Sequence, residues 1–556
     1  MTDVQLKEIK EFIEENGYEC IYVANPKGDF LFIDTYVNGD VLRLKCTFPL
    51  AFPYEFPKVS ILEEFYKKYK PLPHVDNKGG ICTFDSNKVF PNKDKPKEMT
   101  LEVIKQAIKI IEDGINRINV DDFRDEFTSY WGLDSDIVAD VIFTPTDSPA
   151  ILIGCRPNDN YLYIAEGENK LKDFVQITKR FKFEKSKIFK VLYLPIEKEF
   201  TLPFPKTNSE MINFIKDTKY YDKYLEFLKD NSSPRVILFS QNMNGSLCVE
   251  GWKHEKRKTP NGFRNNNINP IHLYKNLNGE DKIIKIRVNQ LDHTRTFTRG
   301  GDGHIKNNIK VSITGCGSIG SNLVKNLIDI GVKDFFLIDN ETLSVENIAR
   351  HYCGASYLRT LKVDAIKNEL IRHYADINCD IYAENVFNLL KEDLTIFNEC
   401  DYNFVVVGGL PIERKFIELF NSRQITKPII LVWVEPYLMG GHAVLLQEKA
   451  DVEKYLYDKN FNFKHRIILN GDEYVSREAG CESTYLPYSA FEVQYFLTSL
   501  IDFMNIKIFE KSIKGNYLLS WSGRLDKARK NKMKINSSWI SSNGREMRVK
   551  SINELE

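Results

Sequence analysis

The stretch Lys310–Asp339, KVSITGCGSIGSNLVKNLIDIGVKDFFLID, decides the fold. Val311–Thr314 is a short apolar run of the kind that forms a buried parallel strand. Gly315, Gly317 and Gly320 then spell G-x-G-x-x-G where the chain must turn into a helix. Ile319, Leu323 and Leu327 recur every four residues, with Val324, Ile328 and Ile330 beside them, so the next segment is a helix with one apolar face. Gly331 ends it in the C′ manner, and Asp334–Asp339 is a second strand closed by an acid. This is a βαβ nucleotide-binding unit. The glycines let backbone approach a polyphosphate, and the helix N-terminus supplies amide hydrogens and a partial positive charge. Asp339 lies where a carboxylate accepts from ribose hydroxyls. The stretch alone leaves the nucleotide open, with NAD the commoner partner of such a motif.

Working outward, 556 residues exceed what one core holds, and three domains is the natural expectation. Lys+Arg and Asp+Glu are both 77, which argues against a chain built to coat nucleic acid or an anionic membrane. No apolar run is long enough for a transmembrane helix, and the acidic, amphipathic start MTDVQLKEIKEFIEEN does not read as a signal peptide. The ten cysteines are scattered without a C-x-x-C pair, so neither a disulfide framework nor a zinc site is expected. A reducing cytoplasm with one or two reactive thiols fits that usage.

Residues 1–135 read as a small α+β domain. Leu6, Ile9, Phe12 and Ile13 share one face of an opening helix that Asn16-Gly17 ends. Phe30–Val37 and Val41–Phe48 are strands around the hairpin signal Asn38-Gly39-Asp40. A proline-punctuated stretch, FPLAFPYEFPKVSIL, leads into a third strand, and PLPHVDNKGGICTFD follows as an irregular loop. Thr100 opens a helix with Ile104, Ile108, Ile111, Ile115 and Ile118 inward. Cys82 sits among Gly79, Gly80 and the polar Asp76–Lys78, so its thiol is reachable in a way that a core cysteine is not.

This order resembles a ubiquitin-conjugating (E2) domain. Phe48-Pro49 through Phe56-Pro57-Lys58-Val59 is similar to the aromatic–proline segment before the third E2 strand. His74 and Gly80-Ile81-Cys82 are similar to the family's His upstream of G-x-[IL]-C. The resemblance implies that Cys82 carries a thioester. The family's His-Pro-Asn is His74-Val75-Asp76 here, which leaves Asp76 or Asn77 as the substitute for an oxyanion-stabilising asparagine.

Residues 136–300 form a mixed α/β linker domain. Strand-like runs lie at Ala150–Gly154, Tyr161–Ala165, Phe189–Leu194, Arg235–Ser240 and Lys282–Val288, with one helix over Glu210–Lys229. Lys253–Asn269, basic and turn-rich, reads as a solvated loop, and Cys155 and Cys248 as structural. Leu291–Gly303 reads as a linker.

The third domain, 305–556, holds the opening motif, and the residues after Asp339 decide the nucleotide. Asn347 and Arg350 stand in SVENIARHY, and Lys362 in RTLKVDA. An NAD site needs no such cluster, whereas a reaction expelling pyrophosphate develops charge that Arg and Lys stabilise. Asp339, Asn347, Arg350 and Lys362, in order behind Gly315, Gly317 and Gly320, resemble the ATP site of the ubiquitin-activating (E1), ThiF-like adenylyltransferases. The resemblance implies ATP with Mg2+. The Asp that such proteins carry at the end of the next strand is absent from FVVVGG (Phe404–Gly409), where Val406 or Val407 stands, so the metal ligand is unknown. Downstream, Ile429–Glu435 is a buried strand and Gly440-Gly441-His442 begins a return strand. REAGCESTYLPY (Arg477–Tyr488), followed by a helix with Val493, Phe496, Leu497 and Leu500 on one face, resembles the E1 crossover loop and implies Cys481 as its catalytic cysteine. Arg524–Lys550 reads as a basic surface segment or tail.

An E2-like domain, a linker domain and an E1-like domain, in that order, resemble the E1–E2 fusion proteins of bacterial CBASS antiphage operons. The resemblance implies a relay. A carrier protein's C-terminal carboxylate is adenylated with loss of pyrophosphate, passes to Cys481, then to Cys82, and ends in an amide with an amine acceptor, expected to be a lysine. It implies as carrier a cGAS/DncV-like nucleotidyltransferase, with a true ubiquitin-like protein as the alternative. A homodimer through the E1-like domain is also implied, with Arg295 or Arg299 reaching the other subunit's phosphates. A sulfur-carrier adenylyltransferase with a merely binding N-terminal module, an inactive interaction protein and an NAD oxidoreductase stay open beside it.

Overall fold

Lys310–Thr314 becomes the third strand of an eight-stranded sheet, parallel to Asp334–Ile338 on one side and Tyr402–Val405 on the other. The structure is a computed structural model. It describes residues 3–552 apart from positions 27, 86–87, 119–121, 134, 180–181, 231–233, 244, 256–268, 307, 478–483 and 486. The basic loop expected over 253–269 and the cysteine expected at 481 therefore lie largely or wholly outside the described residues.

The chain divides into two compact units. One comprises 1–140, 145–164 and 185–289; the other comprises 141–144, 165–184 and 290–556. Within the second unit the parallel block extends to Asn378–Tyr382 and Ile429–Val434. The sheet then turns antiparallel through Gly440–Leu446, Tyr517–Ser522 and Glu546–Ser551. The inner parallel strands are buried almost throughout because both faces are covered, whereas the edge strand Asn378–Tyr382 keeps exposed positions at Asn378 and Asp380. Val311, Ile313 and Ile430 join a core with Leu323 and Leu327 of the helix Ser318–Asp329. Val405, Ile338 and Leu431 join another with Phe416 and Phe420 of the helix Leu410–Asn421. Leu323 and Leu327 are fully buried, and each contributes roughly 2 kcal/mol by leaving water. Strand order reverses at Lys310–Thr314. That opens a crevice at the carboxyl ends of the strands, where open α/β sheets bind ligands.

In the first unit, helix Asp3–Glu15 precedes a five-stranded antiparallel sheet. Its strands are Glu19–Val23, Phe30–Val37, Asp40–Thr47, Lys58–Ile61 and Gly80–Ile81. Asn38 and Gly39 both take positive φ, 49° and 86°, as a two-residue hairpin turn demands. The long helix starts at Pro96, four residues before the expected Thr100, because proline's fixed φ suits the first helical position. It ends at Ile115, so Ile118 lies beyond it and is 72% exposed, not inward.

The first unit also holds a closed seven-stranded barrel, which includes the five strand-like runs of the middle segment and two that the patterning missed, Ile137–Ile142 and Ser246–His254. The single helix expected over Glu210–Lys229 is two, Asn208–Lys216 and Tyr221–Lys229. The Thr218 hydroxyl donates to the Ile215 carbonyl and closes the first.

Two further expectations fail in the second unit. Leu291–Gly303 is not a linker: His293–Gly300 is a helix, N-capped by Asp292, with Phe297 buried. Arg524–Lys550 is not a surface tail. It folds into the helix Leu525–Lys530 and part of the edge strand, and Leu525, Ala528, Met533 and Trp539 join Met439, Ile467 and Ile468 in a small core. No helix among the described residues is long and apolar enough to cross a membrane.

Candidate active sites

The glycine loop is shaped by two close approaches. Gly315 has φ +93°, and a Cβ there would meet the Val406 carbonyl oxygen at 2.8 Å. A Cβ on Gly320 would meet the Gly315 oxygen at 1.9 Å. Gly317, which N-caps the helix Ser318–Asp329, has nothing within 4 Å of its Cβ position. The loop is thus locked beneath and open above, at a helix N-terminus, which is the shape of an anion cradle. An ATP polyphosphate fits those features.

Asp339 follows the second strand and braces the loop. Its carboxylate accepts from the Cys316 amide at 2.7 Å and the Glu341 amide at 2.8 Å. Burial pushes its pKa up, against those two bonds and the charge of Lys362. Lys362 is buried at the start of the helix Lys362–His373 and pairs with Glu341. Arg350 lies over the Tyr488 ring, 4.7 Å from its centroid. Its carbonyl accepts from Asn322, which also bonds the Ser318 carbonyl. Asn347 closes the preceding turn, its side-chain oxygen accepting from the Ser344 amide at 3.0 Å. His351, missed by sequence reading, donates from Nε2 to the Cys316 carbonyl at 2.8 Å and accepts the Cys353 amide at Nδ1. Asp339, Arg350 and Lys362 therefore stand around the loop of Gly315, Gly317 and Gly320, with Asn347 in the turn before Arg350.

The strand before the expected carboxylate runs over Tyr402–Val405, and Val406 and Val407 follow it. No group of three or more His, Cys, Asp or Glu suited to a metal is found among the described residues. Val406 and Val407 offer no metal ligand at the place where the family carries its carboxylate. Arg295 is half-buried and Arg299 exposed on the helix His293–Gly300.

The second candidate site lies in the first unit. Cys82 is the only exposed cysteine among those described; Cys20, Cys46, Cys155, Cys316, Cys353, Cys379 and Cys400 are buried. It opens into a cleft of about 820 Å³ lined by Phe56, Pro57, Phe84, Glu126 and Tyr130 among others. Its amide donates to the His74 carbonyl at 2.8 Å. His74 has φ +57°, a conformation that costs a non-glycine residue about 1 kcal/mol and persists only where contacts over-determine it. Those contacts are unusual. His74 Nδ1 lies 3.0 Å from Glu126, Nε2 lies 3.2 Å from Asp122, and the His74 amide donates to the Tyr130 hydroxyl at 2.7 Å. Tyr130 in turn donates to Glu126 at 2.5 Å.

Ionised carboxylates only accept, so both bonds form together only when the ring is an imidazolium. The hydrogen bond to Glu126 raises the His74 pKa, and the same bond lowers that of Glu126. Partial burial, with Glu126 and Asp85 nearby, pushes the Cys82 thiol up. Neither expected substitute for the asparagine is idle. Asp76 accepts the Lys78 and Gly80 amides, and Asn77 donates to the Leu133 carbonyl and accepts from Lys70. Both hold the loop. Glu126, Asp122 and Tyr130 carry no signal in the linear sequence, because they stand 48 to 56 residues from His74.

Residues 12–139 match the family described as prokaryotic E2 family B, and residues 289–408 match the ThiF family. No match to a curated protein emerges. Among solved structures, the chain is similar to PaaA at 15% identity, covering 44% of this chain and 64% of that one, with a TM-score of 0.29. It is similar to Escherichia coli MccB with ATP at 16% identity, with the same coverages and TM-score. It is similar to Escherichia coli MccB with MccA-N7isoASN at 17% identity, the same coverages and a TM-score of 0.30. The chain thus spans less than two thirds of the length of these proteins.

Proposed function

We propose that this chain, which joins a prokaryotic E2 family B domain to a ThiF, E1-like domain, is an enzyme that relays an acyl group from ATP-activated carboxylate to amine. The observation that carries the reading is the presence in one chain of an anion cradle flanked by Arg350 and Lys362 and a single exposed, cleft-lining cysteine among those described.

In the first step a carrier protein's terminal carboxylate attacks the α-phosphorus of ATP, the P–O bond to the β-phosphate breaks, and pyrophosphate leaves. The amides at Gly317 and Ser318 hold the phosphates, and Arg350 and Lys362 offset the charge of the leaving group. Lys362 must exchange Glu341 for phosphate to do so. Magnesium would arrive with the nucleotide. The Cys481 thiolate then attacks the acyl-adenylate carbonyl and AMP leaves. The Cys82 thiolate attacks the resulting thioester and the Cys481 thiolate leaves. Finally an amine attacks the Cys82 thioester, giving an amide, a proton and the free thiolate. Carrying both thiols on one chain raises their effective concentration toward each other. His74 holds the backbone of Cys82 and is itself pinned, so its role is to position the loop and not to move a proton.

The carrier we favour is a cGAS/DncV-like nucleotidyltransferase in antiphage defence, because the expected order of E2-like, linker (136–300) and E1-like segments resembles that of CBASS fusions. A homodimer through the E1-like domain belongs to the same reading. The test is ATP–pyrophosphate exchange with magnesium and the protein encoded beside this gene. Exchange that falls about 100-fold in Arg350→Ala and Lys362→Ala is expected. Exchange indifferent to both substitutions, or NADH binding without ATP binding, overturns the reading.

A further inference from the structure

Tyr488 stands at a junction that the proposed chemistry does not use. Its hydroxyl is 2.5 Å from the Ser318 hydroxyl, on the first residue of the helix that opens the anion cradle. Its ring underlies the Arg350 guanidinium at 4.7 Å. It is half-buried and packs on the core beneath the sheet crevice. The helix that starts two residues later, Ala490–Phe503, reaches the same place by a second route. Gln494 donates to the Asn322 side-chain oxygen at 2.8 Å, while the Asn322 amide donates to the carbonyls of both Ser318 and Arg350. One short segment, 488–494, therefore holds Arg350 by its side chain and by its backbone, and holds Ser318 likewise.

We infer that Tyr488 is a positioning residue for the nucleotide, acting through Arg350 and Ser318. This rests on the ATP-site reading above. An arginine over an aromatic face is attracted to the ring quadrupole, and desolvation strengthens the attraction. An arginine on an unsupported surface turn samples many rotamers, and fixing it is a cost that binding otherwise meets. The Tyr488 ring meets that cost in advance, and its hydroxyl orients the hydroxyl of Ser318, the helix's first residue. Reading the motif by residue type finds Arg350; it does not find the residue that aims it, because Tyr488 lies 138 positions downstream.

The test is equilibrium binding of a fluorescent ATP analogue to the full chain, with thermal unfolding in parallel. Tyr488→Leu is expected to weaken binding about tenfold, and Tyr488→Phe, which keeps the ring, about two- to threefold. In an Arg350→Ala background, Tyr488→Leu is expected to add less than about twofold, because the partner it aims is gone. Tyr488→Phe in a Ser318→Ala background should likewise add nothing. If Tyr488→Leu fails to fold, Tyr488→Phe with and without Ser318→Ala decides the matter. Wild-type affinity in the Tyr488 variants, or losses that multiply in the double variants, overturns this inference alone. Failure of the wild type to bind the analogue overturns the ATP-site reading and this inference with it.

Discussion

His74 and Glu126 form an ion pair at 3.0 Å, although 52 residues separate them, and it ties the Cys82 loop to the helical segment before the barrel. The His74 pKa is raised above 6.5, so its share of stability is complete below about pH 6.5 and is lost as pH rises through the raised value. The Glu126 pKa is lowered below 4.5, so its share is complete above that and is lost as pH falls through the lowered value. His74→Gln should therefore cost on the order of 1 kcal/mol near pH 6, a modest figure for a pair about one third exposed, and less at pH 9. Urea unfolding of wild type and variant across pH measures the difference. A cost independent of pH contradicts the pair.

Burial, and after it the charges of Glu126 and Asp85, raise the Cys82 pKa, so less thiolate is present at neutral pH. Glu126→Gln should lower that pKa and speed alkylation of Cys82 by iodoacetamide about two- to fivefold at pH 7.5. Peptide mapping of the alkylated chain assigns the rate to Cys82. A slower reaction would mean that Glu126 does not act on the thiol electrostatically.

Gly320→Ala and Gly317→Ala should part company. The first drives a methyl into the Gly315 carbonyl and should cost about 3 kcal/mol or more of stability. The second meets no atom within 4 Å and should leave the melting temperature near wild type while weakening ATP binding about tenfold, because the methyl intrudes on the cradle. Thermal unfolding and nucleotide titration of both variants check this.

Asp376, almost fully buried, receives Lys170 and Lys333 and the His293 amide. Lys170 belongs to the helix Glu168–Thr178, which packs on the helix Lys362–His373. Asp376→Ala takes one of two carboxylate partners from the largely buried Lys170, leaving it Glu166, and should cost about 3 kcal/mol. The Asp376 pKa is lowered below 3.8, so the contribution is present above that value and lost as pH falls through the lowered one. Denaturant unfolding at pH 7 measures the loss.

The parallel core was legible because period and punctuation agree in it. Ile319, Leu323, Leu327 and Gly331 mark helix and stop without reference to anything distant. The hairpin at Asn38-Gly39 was legible for the same reason. Segments whose apolar residues are few stayed hidden: one phenylalanine, Phe297, fixes the helix His293–Gly300, and four buried residues organise the basic C-terminal stretch. In the sites, residue types that recur in a motif were readable, and the residues that hold them were not. His351, Tyr488, Glu126 and Tyr130 act through contacts that the fold creates between remote positions. Asp76 and Asn77, which stand where the asparagine is missing, each hold the loop through contacts that the motif alone does not show.

A gel experiment separates a two-thiol relay from every one-thiol route. The full chain is incubated with ATP, magnesium and the protein encoded beside its gene, then run without reductant. The account predicts a thiol-sensitive adduct, which accumulates on Cys481 in Cys82→Ala and disappears altogether in Cys481→Ala. An adduct on Cys82 in the Cys481→Ala chain would contradict the proposed order of transfer.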